Sequence, residues 1–425
     1  MNQHALQFTR RQMLGTLAAA GGAWWAGETA WGQKKEEPLP VAGVVTVYRK
    51  NSHADVILGK ILNGFDQQGG PGPNLKLVSL YVDQSPPNDL GKVLAEKHGF
   101  RLAKTIDEAL TLGGKQLAVA GVLSIGEHGD YPYTEDTKQH QYPRKRFFDE
   151  IVKTFQRVDA VVPVFNDKHL SYRWDEAKAM YDTAREMKIP FLAGSSAPVA
   201  WREPGLQLER NTPLESALAL GYGGLESYGF HAVETLQCMV ERRKGGETGV
   251  KSVQAVSGDE IIKAEQAGRW SKKLLDAALE VVPLVKTKGK TPQKEIGDKA
   301  VFFLIEYNDG LQAAVGMSTG RTHQFAFAAQ VKGSDKPVAT WFRLQEEVPY
   351  GHFTYLVKAI EHTIRTGQPA YPVERTLLTT GILDAAQHSH AAGGKRLETP
   401  QLSIRYQPAD WPYAPGKLEA VEVGK

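Results

Sequence analysis

Three stretches of this chain place a histidine beside a carboxylate where an apolar run ends: His53 with Asp55, Glu127-His128 with Asp130, and Asp167 with His169. A further pair, His231 and Glu234, is spaced i and i+3 in a helical pattern and so shares one helix face. Imidazole and carboxylate are the ligands of divalent metals when several elements deliver them to one point. The set expected to hold a metal is therefore His53, Asp55, His128, Asp130, Asp167 and His169. A divalent ion there would polarise a carbonyl or hydroxyl oxygen. Chemistry at a carbon also needs an acid and a base whose pKa values are pushed apart. Lys168, beside a metal or another cation, can serve as that base, with His231 as its partner.

Each of these residues also has a structural reading. His53 can cap the helix that follows it, and Asp55 is a first-turn acid favoured by the helix dipole. Glu127-His128-Gly129-Asp130 can be a polar turn ahead of Tyr131-Pro132-Tyr133, and His169 can satisfy a loop carbonyl. Tyr48, Tyr131, Tyr133 and Trp201 offer faces on which a sugar ring could stack, or belong to the core. The Gly194-Ser195-Ser196 turn can hydrogen-bond hydroxyls, but no G-x-S-x-G surrounds it, so it is not a nucleophile elbow.

The elements that must position these groups alternate along residues 41–200. Apolar runs at Val44–Tyr48, Leu75–Val82, Leu117–Ile125, Ala160–Phe165 and Pro190–Ala193 predict strands. Helical patterns at Asp55–Phe65, Asp89–His98, Thr105–Leu112, Arg144–Arg157 and Trp174–Lys188 lie between them. Such alternation means a parallel sheet with crossover helices, an α/β architecture whose ligands bind outside the carboxyl ends of the strands. A dinucleotide-binding fold carries G-x-G-x-x-G in its first strand-to-helix turn. Here that turn is Lys50-Asn51-Ser52-His53-Ala54-Asp55, without a glycine.

Residues 201–405 read as α+β: a helix near Gly229–Glu241, a strand at Ser252–Ser257, then a long antiparallel section. Val301–Tyr307 and Leu311–Met317 flank Asn308-Asp309-Gly310, a hairpin turn signal. Phe325–Val331 and Val338–Leu344 continue it, helices at His352–Arg365 and Arg375–His390 close it, and 406–425 is a tail. Thr287–Lys294 reads as an exposed loop.

Composition narrows the class. A formal charge of +3 with no sustained basic cluster does not suggest nucleic acid, and Arg144-Lys145-Arg146 reads as a solvated helix entrance. Cys238 stands alone, so no disulfide forms within the chain, and its helical setting reads as a buried small hydrophobe. Thr9-Arg10-Arg11-Gln12-Met13-Leu14 is a twin-arginine pattern followed by an Ala/Gly-rich stretch, with Ala30 and Gly32 placed for cleavage before Gln33. Residues 1–32 are thus expected to be an export signal and the mature protein to be periplasmic or extracytoplasmic. No later stretch approaches the roughly 18 apolar residues of a membrane span.

Three segments resemble the Gfo/Idh/MocA family of sugar and cyclitol dehydrogenases. "VVPVFNDKHLSYRWDEAKAMYDTAREMKIPFLAGSS" is similar to the family's strand, Glu-Lys-Pro turn, helix and strand. "GGLESYGFHAVETLQ" resembles its Gly-Gly-x-x-Asp-x-Gly-x-His-x-x-Asp segment, and "HFTYLVKAIEHTIRTGQPAYPVERTLLTTGILDAAQHS" its two closing helices. The resemblance implies a Rossmann-like domain followed by a domain with a large antiparallel sheet, and a dimer or tetramer built through that sheet's open face. It makes Lys168 the counterpart of the catalytic lysine and His231 of the catalytic histidine, with Glu234 at the later acidic position and Ser227 where the family has an aspartate. Asp83, at the end of the second strand, would hold a cofactor ribose.

The resulting expectation is an exported sugar-active enzyme. A His/carboxylate, metal-binding site replaces the NAD glycine loop, and acid/base groups act at a sugar carbon in elimination, hydration, epimerisation or glycoside cleavage. Tyr131, Tyr133 and Trp201 would contact the carbohydrate or polyol. The alternatives are an NAD(P)-dependent sugar or cyclitol oxidoreductase with tightly held cofactor, and a non-catalytic sugar-binding protein.

Overall fold

The first strand, β1 (Leu39–Val45), is buried on both faces: Val41 and Val45 enter one apolar cluster, Ala42 and Val44 another. Such two-sided burial is the mark of a parallel sheet covered by helices. The computed structural model describes residues 37–285, 296–297 and 299–419. The twin-arginine segment and the Thr287–Lys294 loop lie outside the described residues.

β1 is joined in parallel by β2 (Leu75–Val82), β3 (Arg101–Ala103), β4 (Gly121–Ile125), β5 (Val164–Asp167) and β6 (Phe191–Gly194), in the order β3-β2-β1-β4-β5-β6. Between them run α1 (His53–Asn63), α2 (Gly91–His98), α3 (Ile106–Thr111), α4 (Arg144–Val158) and α5 (Trp174–Glu186). The strand order reverses between β1 and β4, and at that switch point an open α/β sheet forms its crevice. The helix α4 buries Phe147, Phe148, Ile151 and Phe155, and Arg144 lies on the same face, fully buried. The solvated helix entrance expected at Arg144 is therefore corrected: Arg144 belongs to the interior.

The second sheet holds β7 (Trp201–Glu203), β8 (Leu214–Gly221), β9 (Val250–Ser257), β10 (Val301–Tyr307), β11 (Gln312–Met317), β12 (Phe325–Val331), β13 (Val338–Arg343) and β14 (Leu397–Glu398). Its order is β14-β9-β10-β11-β8-β12-β13-β7, antiparallel except for the parallel β11–β8 pair. Gly310, at φ +90°, supplies the left-handed residue of the β10–β11 hairpin. One face of this sheet packs on α6 (Ser227–Val240) and on α10 (Val373–Ala391), which follows α9 (Gly351–Thr366). α10 also packs on α5 and β6, joining the two sheets.

The other face is covered as well. Along β10, Phe303 and Ile305 point into the α6 side, while Phe302 and Leu304 enter a separate cluster with Trp270, Leu274, Leu275 and Ala278. Those residues come from α8 (Lys272–Glu280) and the turn before it, and Ile261 of α7 (Asp259–Gln266) joins them; sequence patterning did not resolve either helix. The open face on which an oligomer was expected is thus closed by the chain itself. The argument for a dimer or tetramer through it falls.

Candidate active site

The residues after β1, β4, β5 and β6 and the first turns of α6 meet around a cavity of about 780 Å³. Seven of the chain's twelve histidines line it: His53, His128, His140, His169, His231, His323 and His352. Such a volume suits a small organic ligand.

Glu127, directly after β4, is the electrostatic centre. One carboxylate oxygen lies 2.9 Å from Lys168 Nζ, and the other accepts from Arg144 Nη2 at 2.5 Å. Burial pushes this carboxyl up, but Lys168 and then Arg144 outweigh it and hold it well below the usual range. Lys168 sits at φ +63°, pinned by its amide to the Gly194 carbonyl at 3.1 Å. Its ammonium also reaches the Ser227 carbonyl at 3.4 Å. Arg144 donates its second arm to His169 Nε2 at 3.2 Å, so that nitrogen is an acceptor, and burial and then Arg144 push His169 down.

His231 projects from α6 into the same cavity. Its Nδ1 lies 2.9 Å from Ser195 Oγ, and Ser195 in turn hydrogen-bonds the Glu234 carboxylate through its hydroxyl and, at 3.1 Å, its amide. The Nε2 of His231 has no protein partner among the described residues. Burial, then Lys168, holds His231 well below the ordinary imidazole range, while burial pushes Glu234 up to about 7. Both shifts favour the uncharged forms, with the proton on Glu234 rather than on His231, and Ser195 Oγ links the two.

The six expected metal ligands do not converge. Among the described residues, no three His, Cys, Asp or Glu side chains form a set that could hold a metal ion. His53 donates Nδ1 to Asp167 Oδ2 at 2.6 Å, and Asp55 turns back to accept from the Asn51 amide at 2.8 Å. Asp130 is exposed and bonds Gln84 through its backbone. His128 sits edge-on to His53, its pKa pushed down to about 4 by burial. Arg144 and Lys168 bring two cations into the space a metal would need, which is the physical reason the expectation fails.

Three other expected contacts are also redirected. Tyr131 donates its hydroxyl to Asp83 at 2.6 Å, and Asp83 accepts from Tyr81 at 2.8 Å and Arg146 at 2.6 Å. Both Asp83 oxygens thus carry protein donors, two on Oδ1 and one on Oδ2, and Tyr131 does not line the cavity. Trp201 is buried against Tyr355 and Gly351, behind the cavity wall, and Tyr48 is fully buried. Tyr133 does line the cavity, stacked on His140 at 4.2 Å, and His140 lies against Tyr142 at 4.0 Å. Sequence reasoning missed Arg144, Glu226 and the Ser195 link. Glu226 accepts from the His140 amide at 2.7 Å and lies 3.7 Å from His169. The signal for Arg144 was its register with Phe147 and Phe148 on α4.

The site does not fit a dinucleotide held across the first crossover. Three of its amides are used internally: Ser52 N–H goes to the Arg49 carbonyl at 3.0 Å, Asp55 N–H to Ser52 Oγ at 3.4 Å and Asn51 N–H to Asp55 Oδ2 at 2.8 Å, and no glycine bares the backbone there. A pyrophosphate needs those donors free and the backbone bare of side chains.

No family model matches the chain, and no curated protein matches it by sequence. Solved structures match it by fold. GenD2 from gentamicin A biosynthesis, in complex with NAD, is similar at TM-score 0.54 and 16% identity, over 85% of this chain and 97% of that one. The scyllo-inositol dehydrogenase of Lactobacillus casei, with NAD(H) and scyllo-inositol bound, is similar at 0.52 and 11%, over 85% and 99%. The myo-inositol 2-dehydrogenase of Lactobacillus plantarum gives 0.51 and 11%, over 85% and 99%. The chain has the fold of Gfo/Idh/MocA-type dehydrogenases, a Rossmann-like sheet followed by a mostly antiparallel one.

Proposed function

We propose that this chain is an enzyme of sugar or cyclitol chemistry in which Lys168 and His231 move protons at one oxygen-bearing carbon of the substrate. One observation carries the reading. Lys168 and His231 line the same cavity, and each has its own buried carboxylate, Glu127 directly for the lysine and Glu234 through Ser195 for the histidine. The Lys168 ammonium binds and polarises a substrate oxygen. The free Nε2 of His231 takes or gives the proton, and Ser195 and Glu234 return the imidazole to its starting tautomer. Tyr133, Tyr142, Tyr228 and Phe325 supply the apolar faces that polyol rings pack against. The fold neighbours that act on inositols support the substrate class.

Calorimetric titration with inositols and common hexoses tests this. Wild type is expected to bind at least one of them, and Lys168→Ala and His231→Ala each weaken that binding by about tenfold. A panel without any binder, or variants that bind as wild type does, would sink it.

The second reading is an NAD(P)-dependent oxidoreductase, favoured by the fold shared with NAD-bound structures. Acid release followed by absorbance, with NAD and NADP titrations of the same sample, separates the two. The first reading expects neither bound nucleotide nor saturable binding. Export by the twin-arginine route belongs to the same proposal, and a paired Arg10→Lys, Arg11→Lys variant should stay in the cytoplasm on cell fractionation.

A further inference from the structure

We propose that His53, oriented by Asp167, is a general base that removes a carbon-bound proton from a keto sugar or ketocyclitol. The inference rests on the reading of the cavity as a sugar-directed proton-transfer site, and it names the substrate class and a further catalytic residue.

His53 is the first residue of α1, in the crossover where a dinucleotide fold places its glycines. It is not needed there as a cap, because Ser52 Oγ accepts from the Asp55 amide. Instead its Nδ1 is held at 2.6 Å by Asp167, whose side chain is fully buried, while the imidazole keeps 16% of its surface exposed and lines the cavity. Phe353 and His128 pack edge-on against the ring at 5.4 and 5.6 Å and fix its plane. An imidazole with one nitrogen on a buried carboxylate and the other facing a ligand cavity is the arrangement of a general base: the carboxylate sets the tautomer and balances the imidazolium that forms. Asp167 is thus a positioning residue. The next residue in the chain is Lys168, so one turn carries both the dyad's carboxylate and the ammonium that meets the substrate oxygen.

The substrate class follows from electron accounting. A carbon-bound hydrogen can leave as a hydride only to an acceptor, and the first crossover does not cradle a nicotinamide dinucleotide. It leaves as a proton where an adjacent carbonyl takes up the electron pair. In the proposed step the C–H bond breaks, its proton passes to His53 Nε2, and its electrons form the C=C bond of an enolate. The carbonyl oxygen becomes the enolate oxyanion, next to the Lys168 ammonium. Return of the proton to the same carbon restores the ketone, and no oxidant or reductant is consumed.

The test incubates the full-length protein, without added nucleotide, with a ketocyclitol (an inosose) and with a keto-glucoside in deuterium oxide. Proton NMR follows loss of the signal beside the ketone, and calorimetry measures the affinity for the same compounds. The expected result is enzyme-dependent exchange that falls roughly 100-fold or more in His53→Asn and His53→Gln with affinity retained. Asp167→Asn should slow exchange at unchanged affinity, a split that a merely structural role would not produce. Two variants at His53, each checked by circular dichroism, guard against a folding failure. Exchange that persists in both but vanishes in Lys168→Ala overturns the role of His53 and leaves the sugar-directed reading standing. Binding without exchange in wild type overturns the keto-substrate proposal alone. No binding of any ketone or polyol removes both readings.

Discussion

Glu127 divides its carboxylate between two cations, with Lys168 Nζ at 2.9 Å on one oxygen and Arg144 on the other, all three side chains buried. The cavity floor is therefore an ion triad whose single anion neutralises one cation of two. Removing that anion leaves two buried positive charges side by side.

Glu127→Gln is accordingly expected to destabilise the protein by roughly 3–5 kcal/mol, the usual effect of breaking a buried pair from one side. Urea unfolding followed by circular dichroism measures it. A midpoint equal to that of wild type would mean the triad is solvated in solution.

Glu234 governs a pH dependence of the opposite sense to most carboxylates. Burial lifts its pKa to about 7 from an ordinary 4.5, so the folded chain holds this proton more tightly than the unfolded one. Its contribution to stability is complete below about pH 4.5 and is lost as pH rises through about 7. Glu234→Gln, which stays neutral, should remove that trend, worth roughly 3 kcal/mol at one pKa unit per 1.4 kcal/mol. Unfolding free energies of both proteins from pH 4.5 to 8 test this, and parallel curves would refute it.

His352 and His128 act on the acid side. Burial pushes His352 down to about 3 and His128 down to about 4 from an ordinary 6.5. Their neutral forms stabilise the fold above about pH 6.5, and that stabilisation is lost as pH falls toward 4 and then 3. The melting temperature of wild type should drop over this range more steeply than that of His352→Gln. An equal slope would show that His352 protonates freely in the folded state.

Gly194 is strained ground for any other residue. It lies at φ +126°, and a Cβ there would stand 2.7 Å from Glu234 Oε1 and 3.2 Å from Thr376 Oγ1. Gly194→Ala should lower stability by about 1–3 kcal/mol through the backbone conformation alone. It should also push Glu234 off Ser195, so sugar affinity is expected to weaken together with the thermal midpoint. Loss of stability without loss of affinity would uncouple Glu234 from His231.

The sequence carries the sheet best where burial is two-sided and the run has clear stops. Leu75–Val82 is read to the residue, between Asn74 and Asp83. The apolar run predicts the first strand at Val44–Tyr48, whereas the strand ends at Val45: Thr46, Val47 and Tyr48 are buried beyond it, with Thr46 Oγ1 on the Glu127 carbonyl and Tyr48 N–H on the Asp89 carboxylate. Apolar loop and apolar strand look alike in one dimension. β8, with its Leu-Glu-Ser-Ala-Leu-Ala-Leu run, lacks the β-branched residues that mark strands, and α7 and α8 are short helices in a stretch to which the pattern assigns no element. At the site, strand ends located His53, Glu127 and Asp167, and the family resemblance located Lys168 and His231. What they bind depended on partners distant in sequence, and a charge run concealed Arg144.

The pair α7–α8 closes the second sheet's outer face with Ile261, Trp270, Leu274 and Leu275 of the same chain. Folding through that face is then a one-body event. Dilution should not shift the melting point by way of this surface, as it does when a subunit borrows its roof from a neighbour.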